Sequence, residues 1–86
     1  MGLDTIELVL SSEKHFGVSV PDERAEKTIT VEQFAQLLYE LRTQTANPMP
    51  FENVILELQQ LVSKQFKIPI EKVLPDAEFV KDLGLS

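Results

Sequence analysis

The sharpest periodicity in the chain is VEQFAQLLYELR. Here Val31, Phe34, Leu37, Leu38 and Leu41 recur at helical spacing, with Glu32, Gln33, Gln36, Glu40 and Arg42 between them. That pattern predicts an amphipathic helix. Its start is marked by Thr30 and Gln33, a T-x-x-Q capping box whose hydroxyl and amide satisfy backbone donors at the helix opening. FENVILELQQLVSKQF predicts a second helix, in which Phe51, Val54, Ile55, Leu58, Leu61 and Val62 form one stripe, Leu56 lies off it, and Pro50 suits the start. LDTIELVLSSEKHF predicts a third, stopped by Gly17, which tolerates positive φ.

The intervening segments read as connectors. TQTANPMP is polar, and its two prolines can continue neither neighbouring helix, so it makes a short helix-to-helix link. In VSVPDERAEKT, Pro21 excludes a long helix and leaves Asp22 to Glu26 room for one short turn of helix. KIPIEKVLPDAEFVKDLG is broken by Pro69 and Pro75. Its apolar residues Ile68, Ile70, Val73, Leu74, Phe79, Val80 and Leu83 are expected to pin it over the bundle. Strand signals are weak throughout. The expected class is all-α, a bundle of three main helices plus one short helix in a single domain over residues 1–86.

Placed at 100° intervals, the opening helix shows two apolar stripes: Leu8, Val9, Ser12 and Phe16 form one, Leu3, Ile6 and Leu10 the other. Together they cover more circumference than a helix lying on a core requires. Two readings follow. Either the helix is central and buries both stripes, or the second is an exposed docking strip, rimmed by Asp4, Glu7 and Glu13, for a partner carrying Lys or Arg.

Composition narrows the chemistry. Eighty-six residues support one modest core. The absence of Cys excludes disulfides, thiolate metal sites and cysteine nucleophiles. No apolar run approaches the roughly 20 residues needed to span a bilayer, and the amino end lacks an export pattern, so a cytoplasmic protein without membrane association is expected. The net charge of −6 disfavours nucleic acid and favours a basic protein partner, with Asp22 and Glu23 adding to the acidic surface. Asp22, Glu23 and Glu26 carry the oxygen ligands that a divalent cation takes, but a solvated acidic turn is the expectation, with no metal site. His15 is the single His and has no nucleophile or phosphate loop to work with, so no enzyme activity is expected.

Two blocks carry a family resemblance. LDTIELVLSSEKHFGVSVPDERAEKTITVEQFAQLL resembles the second half of an acyl carrier protein, and FENVILELQQLVSKQFKIPIEKVLPDAEFVKDLG resembles the first half, so the order is reversed. In that family a D-L-G-x-D-S-L-D-type stretch joins the halves, and its Ser carries 4′-phosphopantetheine. Here Asp82-Leu83-Gly84 stands near the end of the chain and Leu3-Asp4-Thr5 near its start. The resemblance implies a circularly permuted acyl-carrier-like bundle, with residues 1–42 corresponding to the family's second half, 43–50 a connector, and 51–86 the first half. A fragment cut across two tandem carrier domains gives the same order.

The same resemblance implies a carrier of acyl groups as phosphopantetheine thioesters for fatty-acid or polyketide synthesis. The implied partners are basic-faced acyl-transfer and synthase enzymes and a phosphopantetheinyl transferase. The attachment register departs from the family's. Aligning Leu3-Asp4 with the family's Leu-Asp puts Gly2, which has no hydroxyl, where the modified Ser belongs, and Ser86 where the preceding Asp stands. Ser86 is the nearby hydroxyl, yet no helix follows it covalently, so this chain is expected to lack the arm. With an α-ammonium in place of the phosphodiester, Met1 to Leu3 are expected to fray. The chain is read as a monomer or as a dimer exchanging halves. The alternative is a non-carrier helical interaction domain using Leu3, Ile6 and Leu10.

Overall fold

Four helices and a single 3-10 turn make up the regular structure in a computed structural model, which describes residues 2–86. They are α1 (Leu3–Phe16), α2 (Asp22–Glu26), α3 (Val31–Thr43), α4 (Phe51–Phe66) and the 3-10 turn at Ile70–Lys72. Among the described residues there is no strand, only an isolated bridge between Thr30 and Glu78. The all-α expectation therefore holds. α3 and α4, which flank the connector, share the most extensive helix–helix contact, and α1 packs on α4.

Each helix buries one stripe. From α1 come Leu8, Val9, Ser12 and Phe16; from α3, Val31, Phe34, Ala35, Leu37 and Leu38; from α4, Val54, Leu58 and Val62. Leu56, off the stripe of α4, is exposed. The helix ends follow their residue chemistry. Gly17 is left-handed at φ 66°, which lets its N–H and that of Val18 both reach the Glu13 carbonyl, at 2.9 and 3.2 Å. The Glu13 side chain extends this turn by accepting from the Val20 N–H at 2.7 Å, and Val20 is thereby turned into the core.

The amino end of α3 is where the long loop is fastened. Helix geometry leaves its first N–H groups without intrahelical partners. Val31 and Glu32 donate to the carbonyls of Ala77 and Pro75, at 3.0 and 2.8 Å, and Gln33 donates to the Thr30 hydroxyl at 3.2 Å. The Gln33 side chain reciprocates to the Thr30 N–H, completing the capping box. The loop's Phe79 N–H returns to the Ile29 carbonyl at 3.0 Å, and Gln59 of α4 donates to the Val73 carbonyl at 2.8 Å.

The expected loop anchors need correction. Val73 and Phe79 are buried and Ile68 and Leu83 are partly so, but Ile70, Leu74 and Val80 face solvent, while Ala77 and Leu85 are buried instead. A single layer of chain crossing a bundle can turn only some of its side chains inward, and hydropathy alone does not say which.

Two local conflicts remain in the bundle, one at a helix end and one in the core. Lys67 ends α4 in the left-handed region at φ 56°, where a Cβ costs roughly 1–2 kcal/mol. Lys67→Gly is expected to raise stability by about 0.5–1 kcal/mol in urea unfolding, after allowing for the freer unfolded chain. Ser12 is fully buried and its hydroxyl has no hydrogen-bond partner. Ser12→Ala removes that desolvated group and improves helix propensity, so calorimetry should show a stability gain of about 1 kcal/mol rather than a loss.

Candidate functional site at the amino end of the first helix

Residues 78–86 form a turn that ends against α1. The Asp82 carboxylate accepts the Glu78 N–H at 2.8 Å, and the N–H groups of Asp82 and Leu83 both return to the Glu78 carbonyl at 3.0 Å. Gly84 then reverses the chain at φ 71°, a conformation that disfavours any side chain. The reversal lets the Leu85 N–H reach the Phe79 carbonyl at 2.9 Å and drops the Leu85 side chain into the core. Asp82-Leu83-Gly84 thus has a conformational purpose: carboxylate tie, half-buried contact and left-handed hinge.

Beyond Leu85, Ser86 lies on the first turn of α1. Its carbonyl accepts from the Thr5 N–H at 3.1 Å, one of the donors that α1 cannot satisfy internally. Its own N–H and hydroxyl both donate to Asp4 Oδ2, at 3.1 and 3.2 Å. Gly2 is the N-cap residue, extended at φ −77° and ψ 173°, and its carbonyl accepts from the Thr5 hydroxyl at 2.8 Å and the Ile6 N–H at 3.1 Å. The chain's two remote blocks therefore meet. Of the Met1 to Leu3 segment expected to fray, Gly2 is the N-cap and Leu3 is helical, while Met1 lies outside the described residues.

Beside this junction opens a cavity of about 230 Å³. Its apolar wall comes from Leu8 and Val9 of α1, Phe34 of α3, Ile29, and Phe79 and Val80 of the loop, with Glu26 and Glu78 also lining it. Phe34 and Phe79 meet edge to face across 6.0 Å. For scale, an apolar cavity of about 150 Å³ accommodates a benzene ring. The helical periodicity assigns Leu8, Val9 and Phe34 to the core; nothing in it marks the gap beside them.

The second apolar stripe of α1 is in solvent, with Leu3 68%, Ile6 43% and Leu10 59% exposed, which removes the reading of a helix buried on all sides. The rim carboxylates differ in their engagements. Asp4 holds Ser86 and Glu13 holds Val20, whereas Glu7 is exposed and makes no hydrogen bond or ion pair among the described residues. Asp22 and Glu23 are exposed in the first turn of α2. No group of three or more metal-ligating side chains converges among the described residues. His15 pairs with Glu57 at 2.8 Å across α1 and α4, half in water, where such pairs contribute little. Sequence reasoning missed Arg42, which donates to the Phe16 carbonyl at 2.9 Å and the Asn47 carbonyl at 2.6 Å, clasping the connector to the far end of α1.

A phosphopantetheine arm does not fit the residues present. Gly2 offers no hydroxyl, and a Cβ placed on it would fall inside the van der Waals envelope of the Ser86 carbonyl group. The Ser86 hydroxyl donates to Asp4, so a phosphodiester there would set a second anion against that carboxylate.

This is a small helical bundle with an apolar cavity opening beside a helix amino end. Comparison with known proteins points the same way. The chain is 49% identical over 39 residues to the chloroplastic acyl carrier protein of Brassica napus, covering 45% of this chain and 29% of that protein. It is 46% identical over 39 residues to chloroplastic acyl carrier protein 5 of Arabidopsis thaliana, covering 45% of this chain and 28% of that one. The match thus spans less than a third of the length of these curated relatives. No protein-family profile and no solved structure matches the chain. Over the matched stretch the chain is related to acyl carrier proteins. No helix among the described residues is long and apolar enough to cross a membrane.

The turn makes one substitution informative. Gly84→Ala forces a side chain into the left-handed region and is expected to cost about 1 kcal/mol in chemical unfolding. Because Gly84 aims Leu85 and Ser86, amide exchange at Thr5 should accelerate more than exchange at Phe34.

Proposed function

We propose that the chain is an acyl-carrier scaffold in circularly permuted order, a non-enzymatic bundle that presents the recognition surface of a carrier but is not charged in this form. The observation that carries this reading is the junction. Two residues beyond Asp82-Leu83-Gly84, Ser86 bonds directly to Asp4 and Thr5 of the Leu3-Asp4-Thr5 block, beside a cavity lined from both sides. Residues 1–42 and 51–86 would then be the family's second and first halves in reversed order, with 43–50 joining the ends that the family leaves free.

In this reading the exposed residues Leu3, Ile6 and Leu10 supply apolar contact, and Glu7, Asp22 and Glu23 supply the charge that orients a basic-faced synthase or acyl-transfer enzyme. Asp4 and Glu13 serve this surface indirectly, by fixing the two ends of the helix. The cavity would shelter an acyl chain of several carbons if an arm were present. The relatives' names place those proteins in chloroplasts, and a plastid stroma is an alternative to the cytosol as this chain's setting.

The decisive experiment relinks the halves. A chain running 51–85, then Asp-Ser in place of Ser86 and Gly2, then 3–42 is incubated with coenzyme A and a phosphopantetheinyl transferase and weighed intact. It should gain one arm, while the parent chain gains none; a folded relinked chain that stays unmodified would refute the carrier reading. The surface is tested separately with the parent. Ile6→Ser combined with Leu10→Ser should change stability by no more than about 1–2 kcal/mol, because Leu10 is 59% and Ile6 43% exposed. It should nonetheless weaken transferase binding by about tenfold or more in calorimetric titration. Binding as tight as the parent's would move the recognition surface elsewhere.

A further inference from the structure

Ser86 does more than stand near an unsuitable residue. We propose that Ser86 is a built-in plug of the attachment register, so that its backbone and any side chain at position 2 exclude one another. This rests on the carrier reading only for what the register is used for; the exclusion itself is geometric.

Three observations converge. Of the three glycines, Gly17 and Gly84 have open space where a Cβ would go, whereas the same position on Gly2 is occupied by backbone atoms of Ser86. Ser86 is also held there rather than passing by: its carbonyl takes the Thr5 N–H, and its N–H and hydroxyl clamp onto Asp4. Finally, the residue before it is fixed, because Leu85 is buried and bonded to the Phe79 carbonyl, so Ser86 cannot swing aside without dragging a core side chain or breaking its own three bonds. Ser86 thereby does for α1 what a capping residue does, filling a donor of the first turn from a distant part of the chain.

Restoring a hydroxyl at position 2 therefore does not by itself restore an attachment point. In the charging reaction that hydroxyl oxygen attacks the β-phosphorus of coenzyme A, a new P–O bond forms, and the P–O bond to adenosine 3′,5′-bisphosphate breaks. The leaving group takes the electron pair and the hydroxyl proton passes to solvent. The oxygen must be open to an in-line approach, and in Gly2→Ser it would compete with Ser86 for one volume.

Two readouts on the full chain test this. In amide exchange, Gly2→Ala is expected to speed exchange at Thr5 by about tenfold, the scale of one lost hydrogen bond, and to leave Phe34 of α3 unchanged. Deleting Ser86 should do the same, and combining the two changes should add nothing. Thr5 exchange unaltered by Gly2→Ala would overturn the plug. In charging with coenzyme A and transferase, Gly2→Ser lacking Ser86 should gain mass about tenfold faster, or more, than Gly2→Ser alone; equal rates would overturn the plug as well. If neither chain is charged, the exchange result still decides the plug, and the relinked chain decides the carrier reading.

Discussion

The amino end of α3 is the constraint on which the molecule rests. A helix that starts beneath a covering segment must find partners for its first N–H groups, and here the carbonyls of Ala77 and Pro75 supply them. That pairing fixes the height and direction of the loop over the bundle. Because the loop is fixed, Val73, Ala77 and Phe79 enter the core at set positions, Gly84 reverses the chain where Asp82 dictates, and Ser86 arrives on α1. The cavity follows from the same geometry, since Phe79 and Val80 form its loop wall opposite Leu8 and Val9.

Much of this was legible in the residues because helices announce themselves twice, in apolar spacing and in end chemistry. The stripes of α3 and α4, the Thr30–Gln33 box and the Gly17 stop all predict what is found. The loop was less legible, because no period governs a segment whose backbone bonds go to other elements. Ile70, Leu74 and Val80 are as apolar as Val73 and Phe79, yet Ile70 and Leu74 are half exposed and Val80 stands at the cavity mouth, exposed to solvent. Leu85 was overlooked although Gly84 precedes it, a signal that the chain turns back at that point.

The site was legible in part for a different reason. Asp82-Leu83-Gly84 and Leu3-Asp4-Thr5 could be recognised as remote blocks, and the exposed stripe of α1 showed as surplus apolar arc. What periodicity cannot convey is occupancy of space. The crowding of Gly2 by Ser86 and the gap between Leu8, Phe34 and Phe79 arise from three-dimensional placement. Arg42 shows the same limit: as a polar residue in the last turn of α3 it reads as solvent-facing, and it becomes a clasp only because the Phe16 and Asn47 carbonyls converge on it.

The bonds between Ser86 and Asp4 join residues 82 positions apart. A contact of that span closes nearly the whole chain into one loop, and the entropy of doing so is lost before the contact returns anything. Joined directly, the same groups would be near neighbours and among the first to associate. The order in which the helices are strung thus bears on the route to the packing. Loop-closure entropy therefore sets the first turn of α1 behind the contact of α3 and α4, which only a short connector separates, as an expectation for the order of assembly.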